Sequence, residues 1–310
     1  MSSTPPPGGL VVLEKLPPPS GVGYTQVLRS TDGRGVVRGG FGVALALAGY
    51  AIFAPLIAQL VLGLGWLLRG RPDSFSSYFR TAMAYELPDG LVASHLGLAS
   101  LIGLSMLLVR WWHRRGVRWL VSVQPGMRWR YLLGCLLIAA VGLNVVLWLG
   151  QLGTPWVLDV DTRPWLWLLV IILFAPLQAA GEEFFFRGYL MQALGALVTN
   201  RWFGVVLSAL VFALFHGVQN TWLFIDRLAF GLLAGALVLI TGGLEAAIAA
   251  HVANNLFAFG YAVFFGGVAA TKSLREIGPV DAAVDIAGFL VVGLGAWWLA
   301  RRMRVATTTP

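Results

Sequence analysis

Long apolar runs decide what this chain can fold into. Residues 41–68 and 91–109 are almost unbroken stretches of hydrophobic side chains, and about 20 such residues in a helix cross the hydrocarbon core of a bilayer. Further runs fall near 131–151, 165–193, 203–218, 227–242, 245–266 and 283–300. A membrane barrel would need shorter strands alternating in polarity, whereas these blocks are continuous. Lipid offers no partner for a free backbone amide, so each block is predicted to be a helix. The fold class that follows is all-α, a polytopic membrane helical bundle of about eight transmembrane helices. Composition agrees: 58% of the 310 residues are hydrophobic and 12% charged, against about 25% charged in soluble domains.

The formal net charge of +8 raises the question of a nucleic-acid partner, but the basic residues sit in the loops and not along one face. Placing the N-terminus in the cytoplasm puts fifteen of the 22 Lys and Arg residues inside and seven outside. That bias predicts a multi-pass cell-membrane protein with both termini cytoplasmic. The densest cluster, Arg110 to Arg130, is accounted for by this topology signal, and no nucleic-acid partner is expected. Residues 1–38, with two Pro triplets and no run of signal-peptide length, read as a flexible cytoplasmic tail. Residues 39–304 form the transmembrane domain, with a core at about 165–266, and 305–310 a C-terminal tail. The single Cys135 lies in an apolar segment and reads as a packing residue. Trp165, Trp167, Trp202 and Trp222 read as interface anchors.

Ionisable residues inside a span cost roughly 2.5–3.5 kcal/mol at the bilayer centre, so each needs a partner or a function. Three places carry them. Gly181-Glu182-Glu183-Phe184-Phe185-Phe186-Arg187 brings two carboxylates and a guanidinium into the fourth span. Glu183 and Arg187 are four apart on one helical face with the acid first, the favourable order for an ion pair. Glu182 points elsewhere, without a local partner, and is a candidate base, with Gln178 one turn before it. His216 follows Phe212 by four residues in the fifth span. His251 and Asn255 are four apart in the seventh. His95 and Asn144, in the second and third spans, read as packing contacts, with a relay or cavity role the alternative.

Glu-Glu-x-x-x-Arg, Phe-x-x-x-His and His-x-x-x-Asn, in this order on successive spans, resemble the pattern of the CAAX protease and bacteriocin-processing (CPBP, or Abi) family. Glu182, Glu183, Arg187, Phe212, His216, His251 and Asn255 match it without departure. The resemblance implies an intramembrane endopeptidase acting on a membrane-associated or prenylated protein or peptide. On that reading Glu182 and His216 activate a water, and His251 and Asn255 donate to the oxyanion. Glu183, Arg187 and Phe212 support the site. A competing scheme places Zn²⁺ on Glu182, His216 and His251 with water in the open position. The polar residues lie toward the predicted inner ends of their spans, so the cavity is expected to open to the cytoplasm. The rival readings are a non-catalytic scaffold or bacteriocin-immunity protein and a proton-coupled transporter. The transporter would call for corresponding inverted repeats, and the sequence shows none.

Overall fold

The computed structural model describes residues 16–30, 34–72 and 74–310. The first fifteen residues of the expected tail lie outside that set. Among the described residues the chain is helical, without strands. The α-helices are α1 (Gly35–Leu68), α2 (Phe75–Met83), α3 (Pro88–Leu107), α4 (Trp129–Gly150), α5 (Pro164–Glu182), α6 (Met191–Gly195), α7 (Arg201–Phe215), α8 (Thr221–Thr241), α9 (Glu245–Ala262), α10 (Val268–Ser273) and α11 (Pro279–Met303). Among the described residues six stretches are long and apolar enough to cross a membrane, built on α1, α3, α4, α5 with α6, α8 and α11. The shorter α7 and the more polar α9 complete the eight expected runs.

Their outer faces are those of a protein solvated by lipid. Leu137, Ile52, Leu60 and Leu294 each leave about three-fifths or more of their surface exposed, a surface no water-soluble monomer tolerates over this extent. Inner faces are lined largely by small residues: Gly35, Gly39, Gly42, Ala46, Gly49, Ala54 and Ala58 are buried on α1, with Leu62 the one larger buried side chain. Small side chains let backbones approach closely where no hydrophobic effect drives helices together. Gly181 is the tightest case near the motifs, since an added Cβ would collide with the Leu98 carbonyl oxygen of α3. Gly181→Ala is expected to push α5 off α3 and lower the yield of folded protein, read by size-exclusion chromatography in detergent.

Connections sort to two ends. Residues 16–30, the C-terminal segment, the 113–128 connection and the α8–α9 turn share one end, where Gly23 bridges Thr308 and Ser122 bridges Gly243. The α2 region, the 151–163 loop and α10 share the other, where Asp159 bridges Phe265. At the terminal end Arg128 forms a paired contact with the fully buried Glu245, at 2.6 and 2.9 Å.

Two expectations are corrected here. Residues 16–30 of the expected flexible tail are folded onto the bundle: Tyr24, Val27 and Leu28 are buried, and Gln26 donates to the Gly195 carbonyl at 2.8 Å. The apolar side chains after the second Pro triplet supply the surface that pays their ordering entropy. Trp167 is also no interface anchor. It is buried with Tyr85 and Leu91 in an apolar cluster, while Trp165 is exposed, because residues two apart on a helix face different directions.

Candidate active site

The three motifs converge on one network. After Glu182 the α5 helix widens into a π-helical stretch, Glu183–Leu190, a form that recurs at functional sites because the wider turn re-aims its side chains. Glu183 and Arg187 lie inside it, both with no exposed surface, paired at 2.8 Å. The Arg187 guanidinium stacks 4.1 Å over the Phe212 ring and 5.2 Å from Phe230. Phe212 in turn meets the His216 ring at 4.6 Å. The motif phenylalanine is therefore a spacer between a buried cation and a histidine.

Glu183 also holds the second histidine. Its Oε1 accepts from His251 Nδ1 at 2.7 Å. A carboxylate paired with arginine only accepts, so Nδ1 carries the proton and Nε2 presents a lone pair. That nitrogen lies 3.5 Å from Glu182 Oε2. His216 is set the same way, its Nδ1 donating to the Phe212 carbonyl at 2.8 Å, which leaves its Nε2 unprotonated in the neutral ring. Asn255 donates to Gln178 Oε1 at 2.6 Å, and one further amide hydrogen stays available.

Glu182, His216, His251 and Asn255 all line one cavity of about 360 Å³. Glu182 and His251 are nearly buried at its base, 7% and 5% exposed. The walls include residues whose spans carry no readable motif: Tyr50 from α1, His95 and Leu98 from α3, and Phe289 from α11. His95 thus reaches the cavity, with its Nδ1 near the Tyr85 hydroxyl at 3.4 Å. Asn144 does not, and instead accepts from Tyr261 at 2.5 Å in a neighbouring pocket. Gln178 was within reach of sequence reasoning, one turn before Glu182. Lys272 on α10 and Arg275 just after it had no signal to find them by.

The cavity does not open where the sequence placed it. Its rim is formed by Val218, Gln219, Lys272 and Arg275, at the helix ends opposite the Gly23–Thr308 bridge. Glu182 and His251 do lie nearer the terminal ends of their helices, whereas His216 caps the rim end of α7; helix packing closes the terminal side with the Tyr24, Phe184 and Phe185 cluster. Burial lowers the pKa of the Lys272 ammonium, as does neighbouring Arg275, while Glu182 opposes both.

The zinc scheme fits these residues poorly. Both histidines keep Nε2 free, as a metal-ligating imidazole would, but among the described residues no three His, Cys, Asp or Glu side chains gather closely enough to hold a metal ion. No step is derived through one.

Helices of membrane length around a buried carboxylate–histidine site define a multi-pass membrane protein with a candidate hydrolytic centre. Residues 162–257 match the family model described as type II CAAX prenyl endopeptidase Rce1-like, a segment holding all three motifs. A similar curated protein is YyaK of Bacillus subtilis (strain 168), described as uncharacterized, 29% identical over 153 residues. The match covers 45% of this chain and 51% of YyaK, so the chain spans about half the length of that relative. No solved structure matches.

Proposed function

We propose that the chain is an intramembrane endopeptidase that hydrolyses a peptide bond of a membrane-associated protein or peptide with a water activated by Glu182. The observation that carries this reading is the placement of Glu182 beside the Nε2 lone pair of His251, at the base of a cavity shared with His216 and Asn255. Peptide hydrolysis needs a base for water, donors for the tetrahedral oxyanion and a proton for the leaving amine. Glu182 takes the proton from water, and the hydroxide formed attacks the scissile carbonyl. The free amide hydrogen of Asn255 meets the oxyanion. Collapse of the intermediate returns the proton from Glu182 to the departing nitrogen, with His251 sharing it between steps. His216 Nε2 accepts from the attacking water and orients it.

This departs from the first assignment in one respect. His251 is better matched to proton sharing than to oxyanion donation, because its only proton in the neutral ring is held by Glu183.

The test compares membranes containing wild type or Glu182→Gln at matched levels, with newly formed peptide termini read by mass spectrometry. Termini present only with wild type are expected. Equal termini in both would favour the scaffold or immunity reading. With a substrate so identified, dialysis against a chelator is expected to leave the cleavage rate unchanged; a rate lost on chelation and restored by Zn²⁺ would return the metal scheme.

A further inference from the structure

The cavity rim and the two described terminal segments, 16–30 and 304–310, lie at opposite ends of the bundle. Val218, Gln219, Lys272 and Arg275 line the rim, in the α7–α8 turn and the α9–α11 connection. The Gly23–Thr308 bridge ties both terminal segments to the other end. Whichever side of the membrane holds the termini, the cavity faces away from it.

Charge selects the side. The terminal end carries Arg110, Arg114, Arg115, Arg118, Arg128 and Arg130 within one short connection, and its described acid, Glu245, is buried against Arg128. The rim end carries Glu86, Asp89, Asp159, Asp161, Glu276 and Asp281. Lys and Arg in short loops are retained in the cytoplasm, which assigns the terminal end to that compartment. Of the basic residues at the rim end, Arg227, Lys272 and Arg275 are turned to the cavity, where their positions serve the site.

We propose that the cavity opens to the extracytoplasmic side, so that the substrate is an exported or surface-held peptide segment and not a cytosolic prenylated tail. The substrate half rests on the peptidase reading above; the orientation half does not.

The experiment uses the full chain with Cys135→Ala and single cysteines at Val218, which is 84% exposed at the rim, or at Thr307, exposed at the terminal end. Intact cells are treated with a membrane-impermeant maleimide. Val218→Cys is expected to label fully without permeabilisation and Thr307→Cys only after it. Leu152→Cys, 75% exposed in the 151–163 loop, serves as a second rim-end site should Val218→Cys not fold. Rim-end labelling no greater than that of Thr307→Cys in intact cells overturns the orientation. For the substrate half, termini that depend on Glu182 should appear in exported or surface proteins. Their confinement to cytosolic proteins overturns it, and their absence counts against the peptidase reading alone, since the labelling needs no activity.

Discussion

Glu182→Gln should slow cleavage by about 10²–10⁴-fold, the usual contribution of a positioned general base, while the protein keeps its thermal stability. The substitution preserves shape and hydrogen-bonding reach, so a loss on this scale reports the missing basic oxygen and not a collapsed cavity. Single-turnover cleavage of an identified substrate, beside thermal unfolding in the same detergent, provides the comparison. A rate within a few fold of wild type would remove Glu182 from the chemistry. Glu183 would not inherit the role, because it is fully buried behind the cavity, which it does not line, and is paired with Arg187 and His251.

The second large effect is on stability. Arg187→Met leaves the Glu183 carboxylate buried without its cation, and breaking a fully buried pair from one side costs about 3–5 kcal/mol. It also removes the guanidinium stacked over Phe212, so His216 loses the support behind its ring. A marked drop in unfolding temperature is expected. The double variant Glu183→Gln with Arg187→Met should recover much of that stability, since replacing both members of a buried pair is often nearly neutral. Activity should stay low in the double variant, because a neutral amide no longer fixes the His251 tautomer. Recovery of both together would mean that the pair only packs the core.

Helices, their number and the chemical groups of the site were legible because each is a local property of the chain. Lipid forces every backbone amide into a partner within its own segment, so apolar length alone announces a helix, and the spans found follow the runs in the sequence. The spacing of Glu183 and Arg187 foretold their pairing for the same reason: four residues is one turn. What remained hidden depends on contacts between segments far apart. Residues 16–30 looked like the rest of a Pro-rich tail until Tyr24, Val27 and Leu28 met their buried surface.

The sequence by itself determined a helical membrane protein with two carboxylates, two histidines and an asparagine at helical spacing on three spans. Only the tertiary structure decided that Glu183 joins Arg187 to His251, that Phe212 separates the guanidinium from His216, and that Gln178 holds Asn255. It also decided that the cavity opens away from the termini. Helical periodicity sets which residues share a face, whereas the direction of an opening depends on where neighbouring helices pack tightly and where they part.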